Sequence, residues 1–264
     1  NPAPILDANG AGGGTTNSVT FSEGGGAIRI VTSDATLTDD DDITGMTLEL
    51  SATPNGSSEA IAYSTALNGG SSLASLGLTG SYDAATGTYT LLGTAPAATY
   101  QAVLRAMVYE NTSDAPVTSA RTVTISAADA EGAAGQTTAT IGITAVNDAP
   151  TASNLTQSKA VTEGSSTVAL DDIVVTDADG SDTITATLTL SDPAAGSLSI
   201  GTFGSATSTY DAGTGVWTVI GSVTDVNAAL AAVALTPSAD NDQSFTITTR
   251  IRDAAGSGPV DGAI

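Results

Sequence analysis

The residues in this chain that could do chemistry are carboxylates, and they come in short recurring groups. Ser22-Glu23-Gly24 returns as Thr162-Glu163-Gly164. The run Thr38-Asp39-Asp40-Asp41-Asp42 has a counterpart in Thr176-Asp177-Ala178-Asp179-Gly180-Ser181-Asp182, and each precedes an alternating segment. Asp129 and Asp253 each close a later alternating segment, and Asn147-Asp148 lies between the two sets. Hard cations such as Ca²⁺ take six to eight oxygen ligands at about 2.3–2.6 Å, from carboxylates, amides and backbone carbonyls. An Asp-x-Asp pair suits them, because alternate side chains of an extended segment reach one ion with a carbonyl between them. A single Asp in a turn has a simpler explanation, since it caps its own backbone. It is the recurrence of whole groups at matching places that points to calcium.

The remaining composition narrows the chemistry. With no Cys and no His, the 264-residue chain has no thiol nucleophile, disulfide, thiolate zinc site, imidazole base or histidine metal ligand. Its 28 acids against 6 bases give a net charge of −22, and Lys159 is the single lysine. Nucleic acid and anionic membrane surfaces need cationic patches and are not expected partners. No apolar run reaches the roughly 18 residues of a membrane span, so direct membrane insertion is not expected either. The apolar share, 41%, is mostly Ala, Val, Ile and Leu set among Gly, Ser and Thr, the profile of an all-β chain with short strands and many turns.

The elements that must position the acids are legible as two copies of one pattern. Met46-Thr47-Leu48-Glu49-Leu50 and Ala186-Thr187-Leu188-Thr189-Leu190 alternate as half-buried strands do. Tyr82-Asp83-Ala84-Ala85-Thr86-Gly87-Thr88-Tyr89 matches Tyr210-Asp211-Ala212-Gly213-Thr214-Gly215-Val216-Trp217. Each reads as a hairpin in which Asp opens the turn, Gly supplies a positive φ and two aromatics pack across the strands. One short helix per copy is predicted, from Tyr100, Val103, Leu104 and Met107 behind Thr94 and Pro96, and from Val226, Leu230 and Val233 behind Thr224-Asp225. Thr122–Asp129 and Thr246–Asp253 are late strands, and Thr137–Val146 is the final strand of the first copy. The equivalent strand of the second copy is expected from about Gly262 onward, leaving an open sheet edge. Pro150 holds Ala149 extended, so Asn147-Asp148-Ala149-Pro150 is a stiff joint between repeat 1 (residues 1–148) and repeat 2 (residues 149–264). Asn1-Pro2-Ala3-Pro4 resembles that joint, and the chain is read as a piece of something longer.

The Glu23 and Glu163 motifs, Asp177-x-Asp179, Asp253 after its strand and Val146-Asn147-Asp148-Ala149-Pro150 together resemble the cadherin-like tandem repeats of large bacterial surface adhesins. The resemblance covers nearly the whole chain, and the joint is its most specific part. It implies two tandem immunoglobulin/cadherin-like Greek-key β-sandwiches, strung into stalks and stiffened by Ca²⁺ between modules. By position, the implied inter-repeat site draws on Glu23, Asn147, Asp148, Asp177, Asp179 and Asp253, while Asp39, Asp41, Asp42 and Asp129 would face a preceding module. Two features depart from the family. Its further acid pair has no clear match beyond Glu110 and Asp114, and Asn1-Pro2-Ala3-Pro4 lacks the Asp of the second joint. The expected role is a calcium-stiffened spacer at the cell surface or outside the cell, with neighbouring repeats and other surface molecules as partners and no catalysis. The alternatives are a carbohydrate- or protein-binding module, which would need an exposed platform of Tyr63, Tyr100 or Phe203, and a surface-layer or filament unit. A two-carboxylate glycosidase needs neither His nor Cys, but acids repeated at module ends suit a joint better than a cleft.

Overall fold

A computed structural model describes residues 2–162, 166–180, 182–258 and 260–264, which form two compact units, Asn1–Val146 and Asn147–Ile264. Unit 1 carries β1 (Ile5–Asp7), β2 (Asn17–Ser22), β3 (Ile28–Arg29), β4 (Thr36–Thr38), β5 (Asp42–Leu50) and β6 (Glu59–Tyr63). There follow β7 (Thr79–Asp83), β8 (Thr88–Pro96), α1 (Ala97–Leu104), β9 (Met107–Asn111), β10 (Arg121–Asp129) and β11 (Ala134–Thr144). Its main sheet has the order β2-β11-β10-β5-β8-β7, faced by β3-β9-β6 and the pair β1-β4. Strands distant in sequence are neighbours, as in a Greek key.

Unit 2 carries β12 (Thr151–Ala152), β13 (Val168–Ala169), β14 (Val175–Thr176), β15 (Thr183–Leu190), β16 (Gly196–Leu198) and β17 (Thr202–Phe203). It continues with β18 (Ala206–Thr207), β19 (Thr209–Asp211), β20 (Val216–Ser222), α2 (Val223–Ala232), β21 (Ala234–Pro237), β22 (Ile247–Arg252) and β23 (Val260–Ala263). The order β19-β20-β15-β22-β23 repeats β7-β8-β5-β10-β11, and β13-β21-β16 repeats β3-β9-β6. Both units are all-β sandwiches, with one short α-helix each among the described residues.

Period-two burial makes these strands. Along β10 the residues Val123, Ile125 and Ala127 are buried and Thr122 is exposed; along β15 it is Ile184, Ala186, Leu188 and Leu190 that are buried. Each fully buried branched side chain contributes roughly 1.5–3 kcal/mol. In unit 1 Phe21 of β2 meets Tyr109 of β9 edge-to-face, with ring centroids 5.4 Å apart, so an aromatic pair bridges the two sheets. In unit 2 the fully buried Trp217 donates its indole N–H to the Ser199 carbonyl at 2.9 Å.

The hairpins have the expected register, Tyr82 opposite Tyr89 and Tyr210 opposite Trp217. The helical readings need trimming. Met107 opens β9 and Val233 is the extended residue that ends α2, so both belong to the strand side of the junction. Both are buried as the strand side of the junction, so apolar spacing alone does not mark the helix end. The last strand lies close to where it is expected: β23 begins at Val260, two residues before Gly262, and is continued by two backbone hydrogen bonds between Ile264 and Ile247. Neither helix is long and apolar enough to cross a membrane.

Candidate metal centre

In unit 2 the acids gather where β14 ends and β22 ends. Asp177 follows β14 directly, and its Oδ1 accepts the Asp179 N–H at 3.0 Å, a turn that an Asp makes with its own backbone. Asp179 in turn accepts the Asp148 N–H through Oδ2 at 2.8 Å. Asp253, buried just beyond β22, accepts the Ser257 N–H through Oδ1 and the Asn147 side-chain amide through Oδ2, both at 2.8 Å. The same Asn147 Nδ2 lies 2.9 Å from the Asp148 carbonyl and 3.0 Å from Ser257 Oγ, one acceptor more than its two hydrogens can serve. Asp177, Asp179 and Asp182 each offer an oxygen within 4.8 Å of the others.

Two carboxyls at this end are shifted in opposite directions. Burial pushes the Asp177 carboxyl above its ordinary value, and the nearby charges of Asp182, Asp179 and Asp253 push the same way against the Asp179 N–H. At Asp253 burial also works upward, but hydrogen bonds from Asn147, Ser257, Gly256 and Ala255 outweigh it and hold the carboxyl below its usual range. Asp177 Oδ2 is buried and has no hydrogen-bond partner. A buried carboxylate oxygen without a donor is costly, and a positive charge is what this donor set lacks.

Unit 1 repeats the arrangement. Asp39 Oδ1 accepts the Asp41 N–H at 2.8 Å, and its Oδ2 is likewise buried without a partner. Asp39, Asp40 and Asp41 bring oxygens within 4.8 Å of one another. Buried Asp129, the last residue of β10, accepts the Ala133 N–H through Oδ1 at 2.8 Å, as Asp253 does with Ser257. Asp42 opens β5, and its carbonyl accepts the Ala130 N–H, tying the acid run to the end of β10. Glu23, just past β2, accepts the Val146 N–H through Oε2 at 2.8 Å and so holds the last residue of unit 1. Glu110 lies on β9 and Asp114 in the exposed loop after it, neither in an acid trio. Glu163 lies outside the described residues.

Asp40 and Asp182 were not among the residues singled out from the sequence, although both stand in the acid runs that were. A buried cluster in unit 1 was missed altogether. Glu59 and Arg121 form an ion pair with almost no exposure, and Glu59 Oε1 also accepts from Tyr109 Oη at 3.0 Å and Asn111 Nδ2 at 3.3 Å. The available signal was periodicity: Glu59 shares a strand face with Ile61, and Arg121 with Val123 and Ile125. Of the aromatic residues a binding platform would need, Tyr100 is fully buried, and Tyr63 and Phe203 are half-buried.

No protein-family model matches the chain, and no curated protein matches it. Among solved structures it is similar to the extracellular cadherin domains 1–4 of protocadherin gamma B7, at 13% identity and a TM-score of 0.37, over 99% of this chain and 48% of that one. It is similar to mouse cadherin-23 EC22–24 at 15% identity and a TM-score of 0.39, over 100% of this chain and 65% of that one. The titin domains Z1Z2 in complex with telethonin match at 14% identity and a TM-score of 0.31, over 99% and 93% of the two chains. Likeness at this level carries no functional argument, and the sandwich fold rests on the strand orders above.

Proposed function

We propose that the chain is a calcium-stiffened spacer of an extracellular or cell-surface, adhesin-like protein, and that it does no catalysis. In this reading Asp177, Asp179 and Asp253 hold a Ca²⁺ together with Asn147 and Asp148, the first residues of unit 2. Asp39, Asp41, Asp42 and Asp129 hold another at the matching end of unit 1, and Glu23 fixes the backbone that leads out of unit 1. The observation that carries the reading is the same in both units: the first Asp of the acidic loop spends one oxygen on its own turn and leaves the other, Asp177 Oδ2 or Asp39 Oδ2, buried and unpartnered among further carboxylates. Calcium would supply the missing positive charge and accept oxygens at irregular angles, which suits loop ligands better than the strict octahedron of Mg²⁺.

The mechanical consequence follows from which atoms are involved. Asn147 and Asp148 belong to the connecting segment, and they already reach Asp253 and Asp179. An ion among these carboxylates ties that segment to unit 2; without the ion, the carboxylates repel one another and the segment is held by hydrogen bonds alone. Two unit charges about 4 Å apart repel by about 1 kcal/mol in water and about 4 kcal/mol at an effective dielectric near 20.

Calorimetric titration of the chain with CaCl₂ tests this. Binding in the micromolar to millimolar range is expected, with Asp177→Ala and Asp39→Ala each removing part of the heat. Absence of heat and of any thermal stabilisation at millimolar calcium, or unchanged titrations in both variants, would sink the reading.

A further inference from the structure

The sequence contains three Asn-Gly pairs, Asn9-Gly10, Asn55-Gly56 and Asn68-Gly69, all in unit 1. In such a pair the asparagine side chain can close on the next backbone nitrogen, because glycine has no Cβ to block the approach. The closure is intramolecular, so its rate depends on how freely the two groups meet and on what removes the amide proton. The structure treats the three pairs differently on both counts.

Asn55 is tied down. Its Oδ1 accepts the Val117 N–H at 3.1 Å, Asn111 Nδ2 at 3.2 Å and Arg121 Nη2 at 3.2 Å. The Gly56 N–H donates to the Thr53 carbonyl at 2.8 Å. Asn68 Nδ2 donates to Tyr63 Oη at 2.9 Å, and that hydroxyl donates in turn to the Ser71 carbonyl at 2.7 Å. The Gly69 N–H closes a short helical turn on the Thr65 carbonyl. At both sites the glycine proton rests on a backbone carbonyl, which accepts a hydrogen bond but is no base.

Asn9 stands in another setting. The Ala8 N–H and the Thr15 carbonyl close a loop at 2.9 Å, and residues 11–16 are exposed. A Cβ on Gly13 or Gly14 would meet nothing within 4 Å, so this stretch has room to move. The Asn9 amide donates to the Gly13 carbonyl at 3.0 Å, an acceptor in that same unpacked stretch. Asp7 Oδ1 accepts the Gly10 N–H at 3.0 Å and the Asn9 N–H at 2.8 Å. A carboxylate therefore lies on the proton that ring closure must remove, within the reach of a general base. The fold also requires the glycine: its φ is +58, and a Cβ there would meet Asp34 Cγ at 2.5 Å.

We propose that Asn9 is a site of self-modification in the folded chain, with Asp7 as the proton acceptor. Asp7 takes the Gly10 amide proton, and the nitrogen's electron pair forms a bond to Asn9 Cγ. The Cγ–Nδ2 bond breaks, and the leaving nitrogen collects the proton and departs as ammonia. Water then adds to one of the two imide carbonyls, leaving at position 9 an aspartate or its isomer linked through the side-chain carboxyl. Either product loses the amide bond to Gly13 and adds a negative charge to the loop that Asp7 and Asp34 hold. The isomer also lengthens the backbone by a methylene, just ahead of the Ala11 N–H that Asp34 Oδ2 accepts at 3.0 Å. No metal takes part, so the inference stands or falls separately from the spacer reading.

Incubation of the folded chain in mildly alkaline buffer, followed by peptide mapping with mass spectrometry, tests this. The peptide holding Asn9 should change from amide to acid as a mixture of the two isomers. Asn55 and Asn68 should lag by about tenfold or more, since each reacts only from a locally opened state. In denaturant the three pairs should react at similar rates. Asp7→Asn keeps an oxygen that can accept the Gly10 N–H but removes the base. It should slow the change at Asn9 about tenfold, with hydroxide left as the acceptor. A urea midpoint establishes that this variant is folded; if it is not, the pH dependence of the unaltered chain decides. With Asp7 as acceptor, the Asn9 rate should rise less steeply with pH in the folded chain than in denaturant. Equal rates for the three pairs in the folded chain, an undiminished rate in folded Asp7→Asn, or the same pH slope folded and denatured would each overturn the proposal.

Discussion

At the scale of single residues, the least forgiving position in unit 1 is the buried pair of Glu59 and Arg121. Four donors converge on Glu59 Oε1, while Oε2 is buried and has no partner. Tyr109, one of those donors, has its phenol pushed up to about 12 by burial, so it stays protonated and donating across the physiological range. A buried pair contributes little compared with an apolar pair of the same shape, but removing one partner leaves a charge with nothing to balance it. Arg121→Met should therefore destabilise unit 1 by about 3–5 kcal/mol. The double variant Glu59→Leu with Arg121→Met should recover most of the loss. Urea unfolding followed by tyrosine signals checks this, because five of the six tyrosines lie in unit 1. A double variant as unstable as Arg121→Met alone would mean that the pair itself is required for the fold.

At the scale of elements, the two hairpins show how closely local chemistry can dictate structure. Asp83 and Asp211 accept backbone N–H groups two residues on, and Gly87 and Gly215 then close the turn at φ of +70 and +71. A Cβ at Gly87 would meet Thr53 Cγ2 at 3.0 Å, and one at Gly215 would meet Leu190 Cβ at 3.2 Å. Gly87→Ala and Gly215→Ala should each cost about 1–2 kcal/mol in chemical denaturation, from the left-handed backbone alone. An unchanged midpoint would show that the turn relaxes to another type. These hairpins could be read from sequence because every determinant lies within nine residues. The Asp-x-Asp turns were legible for the same reason: the Asp177 bond to the Asp179 N–H is local. What escaped depends on distant partners. Glu59 finds Arg121 across 62 positions. At the α1–β9 junction Met107 is as buried in β9 as Val103 and Leu104 are in α1, so apolar spacing could not mark the boundary.

At the scale of the whole molecule, the acidity and the joint bear on one property, the freedom of the connecting segment. A net charge of −22 on a chain with 6 basic residues favours solubility and opposes compaction at low salt. The segment itself begins at residues whose hydrogen-bond partners are carboxylates, Asp179 for the Asp148 N–H and Asp253 for the Asn147 amide. Their mutual repulsion is the term a bound divalent ion would reverse, and it is only partly screened by salt, because Asp253 is buried. If the spacer reading holds, a chelator should broaden the distribution of sizes seen by small-angle scattering and speed protease cleavage near residues 146–150. Calcium should restore both, and magnesium at the same concentration should restore less, since it dehydrates reluctantly and demands a stricter geometry. Asp177→Ala should show the chelated behaviour even with calcium present. Scattering profiles that superimpose with and without chelator, together with unaltered cleavage, would mean that calcium does not govern the freedom of the segment.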